Sequence, residues 1–77
     1  MSNNEKKELL EKLVVSIAKK YVGRGVEYQE LYDTGISVIP IILDRYKDKD
    51  IDLKFDNIPS FYIRQAITRK IIDDNKN

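Results

Sequence analysis

Seventy-seven residues carrying 14 basic and 13 acidic side chains, a net charge of +1, confine the chain to one small domain without a globally basic surface. The absence of cysteine and histidine excludes disulfides, thiolate metal centres, cysteine nucleophiles and the commonest general base at neutral pH, so no enzyme is expected. A domain of this size buries only about 60 to 65% of its unfolded surface, which makes its stability marginal.

The opening MSNNEKKELLEK lacks the apolar stretch of a signal peptide, and no run approaches membrane-spanning length; a cytoplasmic protein without membrane contact is expected. Apolar residues then fall at Leu10, Leu13, Val14, Ile17, Ala18 and Tyr21, a stripe at helical spacing over three turns. Ser2, Asn3 and Asn4 are available as caps, Glu5 and Glu8 suit the start of the macrodipole, and Lys19 and Lys20 suit its end. Gly23 and Gly25 flank Arg24 and predict a stop with positive φ. Lys19, Lys20 and Arg24 read either as a solvated basic end or as contacts for nucleic-acid phosphates.

A second stripe joins Tyr28, Leu31, Tyr32, Gly35, Ile39, Ile42, Leu43 and Tyr46. Pro40 interrupts it, and because an interior proline removes a hydrogen bond at a cost of roughly 3 kcal/mol, a kink or split is predicted near Ser37 to Ile39. The polar run KDKDIDLKFDN follows as a connector, with a short extended stretch predicted at Ile51 to Phe55. Asp33, Asp44, Asp48 and Asp50 could in principle gather a hard cation. The KDKDID run lacks the glycine and terminal glutamate of a calcium loop, however, and its lysines oppose binding, so no metal or cofactor is expected.

A third helix is predicted from Asp56 or Asn57, either of which can cap it, with Pro59 in the first turn where amides are unpaired. Ile63, Ala66, Ile67 and Ile71 form its core stripe; Phe61, Gln65, Thr68, Arg69 and Ile72 point elsewhere, and the tail DDNKN is expected to fray. Phe61 and Tyr62 lie about 100° apart around a helix, so one ring must be at least partly exposed. The chain therefore predicts a single all-α domain over 1–77, a compact bundle of three main helices with the second kinked or split at Pro40.

Two blocks, LVVSIAKKYVGRG from Leu13 to Gly25 and FYIRQAITRKI from Phe61, in this order and at this separation, resemble the second conserved region of bacterial primary-type sigma factors. The resemblance implies a helical domain that binds the clamp coiled coil of RNA polymerase core through one helix and reads the promoter's minus-ten element, as single-stranded DNA, through another. It places Phe61 and Tyr62 where the family usually has two tryptophans. It also matches Ile63, Arg64, Gln65, Ala66, Ile67, Thr68 and Arg69 directly, with Lys54 and Phe55 in the lead-in loop. Ile58 stands where the family has a tyrosine that stacks on a flipped adenine, and an aliphatic side chain offers no π-face for that purpose. The DNA-facing set implied is Lys54, Phe55, Ile58, Phe61, Tyr62, Gln65, Thr68 and Arg69.

The partner-facing set implied is Glu30, Leu31, Asp33, Thr34, Ile36 and Pro40. Glu30, Leu31, Gly35 and Asp44 fit the family pattern, whereas Asp33, Thr34 and Ile36 depart from it and Pro40 would bend the docking surface. Asp33, Ile36 and Pro40 at three-and-four spacing give that face an apolar patch, which packs on the following loop or meets a partner. A sigma-like transcription protein is the first functional reading. The rival is an interaction module that occupies polymerase or an anti-sigma protein without reading a promoter.

Overall fold

Helix α1 (Asn3–Lys20) starts where the sequence offers a reciprocal cap: Ser2 Oγ accepts from the Glu5 amide at 3.1 Å while the Ser2 amide donates to Glu5 Oε1 at 2.8 Å. The computed structural model describes residues 1–76, and every regular element among them is helical. The Tyr21 amide donates to the Ala18 carbonyl to close α1, and Gly23 and Gly25 then take φ values of 83° and 92°, as their spacing predicts.

The second apolar stripe is divided between α2 (Tyr28–Ile36) and α3 (Ile39–Arg45), two pieces of one bent helix. Pro40 lies in the first turn of α3, where its missing N–H costs nothing, so the chain restarts at Ser37–Val38 rather than distorting a continuous helix. α4 (Ile58–Asp74) likewise carries Pro59 in its first turn.

The core is built from Leu10, Val14, Ile17 and Ala18 of α1, Leu31 of α2, Ile39 and Ile42 of α3 and Ile63 and Ile67 of α4, with Val26, Tyr46 and Ile51 from the connections. Gly35 lets the helices approach closely: a Cβ there would lie 2.7 Å from Val14 Cγ1 and 3.5 Å from Ile63 Cγ2. Lys6 is buried beside this core, its ammonium donating to the Tyr46 carbonyl across 40 residues of sequence. No described helix is long and apolar enough to cross a membrane.

Two expectations change, and the choice between Asp56 and Asn57 as the cap of α4 is decided. Residues 51 to 55 form no strand: Asp52 Oδ1 accepts from the Lys54 amide at 3.1 Å, its carbonyl accepts from the Asp56 amide at 2.9 Å, and the chain turns on itself. The position preceding α4 is Asn57, but its side chain makes no capping bond; Asp56 Oδ1 satisfies the Ile58 amide instead, at 2.9 Å. Asp73 and Asp74 of the tail are helical, and Asn75 caps them with its Nδ2 bonded to the Ile71 and Arg24 carbonyls, both at 2.9 Å. The last tail residue, Asn77, lies outside the described residues.

Candidate nucleic-acid interface

α4 buries Ile63 and Ile67 completely and packs Ala66 and Ile71 partly beneath its neighbours. That orientation turns Phe61, Gln65, Thr68 and Arg69 toward the opposite side, since they follow one another at spacings of four, three and one. Phe61 is 55% exposed, whereas the adjacent Tyr62 ring is half-buried against the core and meets Phe61 edge-on, with centroids 6.4 Å apart. The Thr68 hydroxyl donates to the Arg64 carbonyl at 2.8 Å, so its proton is used within the helix while its oxygen can still accept.

Phe61, Arg64, Gln65 and Thr68 line an open groove of about 380 Å³ with Tyr21 from the end of α1. Tyr21 and Arg64 are additions to the DNA-facing set that the resemblance implies. Tyr21 reads from periodicity as core, and only the packing of α1 against α4 sets it beside Phe61. The Arg24 guanidinium carbon lies 4.9 Å from the centroid of the Tyr21 ring, within cation–π range.

The other proposed DNA-facing residues lie outside this groove. Lys54 and Phe55 sit on the loop before α4, where Phe55 is 82% exposed and the Lys54 ammonium lies 6.0 Å from its ring. Ile58 is half-buried and packs on the core. Arg69 is exposed further along α4.

The proposed partner-facing residues divide by depth. Leu31 is 0% exposed and belongs to the core, so its assignment to the docking surface is corrected: the stripe it shares with Gly35 is the one α2 turns inward. Glu30 and Asp33 are exposed, the former 3.8 Å from the Lys70 ammonium and the latter accepting from Gln29 Nε2 at 2.9 Å. Thr34 is half-buried and its hydroxyl donates to the Glu30 carbonyl at 2.7 Å. Ile36 and Pro40 do come together, lining a groove of about 290 Å³ with Lys7, Glu11, Ile39 and Leu43. Asp33, although it shares α2 with Ile36, does not line it. Among the described residues no three acidic side chains gather as a metal site.

No family model matches the chain, and no solved structure matches it. Among curated proteins it is 40% identical over 65 residues to the RNA polymerase sigma factors SigA of Nostoc sp. and Synechocystis sp., covering 84% of this chain and 16% and 15% of theirs. It is 42% identical over 62 residues to the SigA of Lactococcus lactis subsp. cremoris, covering 80% of this chain and 17% of that protein. The chain thus spans only a small part of the length of the curated relatives it matches. Over 65 of its 77 residues it is a divergent homologue of one segment of the bacterial RNA polymerase sigma factors named SigA.

Proposed function

We propose that this chain is a sigma-like transcription-initiation domain, contacting the promoter minus-ten element through α4 and RNA polymerase through α2 and α3. The observation that carries the DNA side is the open groove in which Phe61, Gln65 and Thr68 stand together with the cationic Arg64. An exposed ring can stack on an unpaired base for roughly 1 to 3 kcal/mol, and a neighbouring guanidinium can take the phosphate. The overall charge of +1 makes such a contact local, dependent on a few placed cations.

The test is a titration of the purified chain against a labelled single-stranded minus-ten oligonucleotide and a scrambled control, at two salt concentrations. Preferential binding that Phe61→Ala weakens by about 5- to 100-fold is expected. Equal binding to both strands, or none, would defeat promoter reading.

The rival is an interaction module, engaging polymerase or an anti-sigma protein without capturing a base. Its support is specific: Ile58, at the position the resemblance reserves for a stacking tyrosine, is aliphatic and packs on the core. Ile36 and Pro40 meanwhile form one wall of an apolar groove. Polymerase pull-down with the Ile36→Asp variant tests the protein side. Unchanged capture by that variant would remove the groove from the docking surface.

A further inference from the structure

The turn between α1 and α2 closes on the far end of α4, with Val26 buried in the core and the Asn75 side chain bonded to its backbone. Asn75 Nδ2 donates to the Arg24 carbonyl and to the Ile71 carbonyl, 2.9 Å in each case, linking residues 51 positions apart. Gly25, at φ 92°, leaves room for this: a Cβ there would stand 2.7 Å from Asn75 Oδ1. With its carbonyl tied down and glycines of positive φ on both sides, Arg24 lays its guanidinium over the Tyr21 ring, and that ring lines the groove containing Phe61.

From this geometry we infer that the Tyr21–Arg24 turn is the second wall of the nucleotide groove. An unstacked base lies against Phe61 with Tyr21 across from it, and the adjoining phosphate is held by Arg24. Asn75 is a positioning residue: it touches no ligand and acts by fixing where Arg24 stands. The inference rests on the nucleic-acid reading of α4 and extends it to residues from the opposite end of the sequence. Two aromatic rings and the Arg64 guanidinium line the open groove, and a second guanidinium, that of Arg24, lies over one of those rings; together they match the requirements of single-stranded nucleic acid, a π-face for the base and cations for the backbone.

The full chain and the labelled minus-ten oligonucleotide serve again, with affinity measured across a salt series and folding followed by circular dichroism. Tyr21→Leu is expected to weaken binding about tenfold, by removing a stacking surface. Arg24→Gln should weaken it several-fold and flatten the dependence of log affinity on log salt by about 0.7, as follows when a protein neutralises one phosphate fewer on a single strand. Asn75→Ala should flatten that dependence too, and should add little when combined with Arg24→Gln. Ser2→Ala, which removes a cap at the start of α1, tests whether mere loosening of the fold moves the salt slope; it should not. If Phe61→Ala weakens binding while Tyr21→Leu and Arg24→Gln bind as the parent chain does, the second wall is refuted and the α4 reading stands. If the parent chain itself fails to bind the oligonucleotide, the α4 reading falls and takes this inference with it.

Discussion

Tyr46 shows how much one side chain can organise. It is buried, its carbonyl accepts the Lys6 ammonium, and its hydroxyl donates to Asp56 Oδ2, while the other Asp56 oxygen holds the first amide of α4. Burial, and then the bond to the Asp56 carboxylate, push the Tyr46 phenol up to about 12. The same hydroxyl, followed by the Ile58 amide, holds the Asp56 carboxyl below its ordinary range. Tyr46→Phe keeps the packed ring and removes only the clip. The thermal midpoint should fall by a few degrees, and the Ile58 amide should exchange faster with deuterium; an unchanged exchange rate would mean that Asp56 caps α4 without help. Helical spacing marks Tyr46 as core. It cannot show that the hydroxyl reaches a carboxylate ten residues later, because that bond depends on how the intervening loop turns.

At the scale of elements, the second stripe illustrates both what periodicity supplies and where it stops. Pro40 predicts a break, and the chain breaks at Ser37–Val38. The same stripe contains Gly35, whose significance lies in the neighbouring helix: Val14 of α1 occupies the space a Cβ would need. Intrinsic propensity favours alanine over glycine in a helix interior by about 1 kcal/mol. Overpacking a buried interface costs about 1 to 3 kcal/mol. Gly35→Ala should therefore be destabilising, by about 1 kcal/mol net, in urea unfolding. A gain in stability would show that α1 and α2 can separate slightly at no cost.

For the whole molecule, the titrating groups set a window of maximal stability. Glu5, bonded chiefly by the Ser2 amide, and Asp56 both have carboxyls held below their ordinary values. Their contribution is present above the unfolded carboxylate range and disappears as pH falls through the folded values. Tyr46 works in the other direction. Its protonated form is favoured by folding, so its contribution is complete below its ordinary value of 10.0 and is lost as pH rises toward about 12. Lys70, raised mainly by its bond to Asp74, adds to that alkaline loss. Unfolding midpoints measured across pH should show a plateau from above the carboxylate range to about 10, and Tyr46→Phe should shrink the decline beyond it. An alkaline decline of the same size in Tyr46→Phe would assign it to other groups.

Residue order alone determined the helical class, the end of α1 at the glycine turn, the break ahead of Pro40 and the outward turn of Phe61, Gln65 and Arg69; it offered Ser2, Asn3 and Asn4 alike as the cap that opens α1. Each of these follows from local backbone chemistry or from the period of a single helix. Tertiary packing decided the rest. It drew Leu31 fully inside, set Asp33 apart from Ile36 and Pro40, brought Tyr21 beside Phe61 and carried Asn75 back to Arg24. The physical reason is that a stripe of apolar residues shows which side of a helix seeks cover. Which members of the stripe are sealed, and which become the wall of a groove, is set by where the neighbouring helix ends.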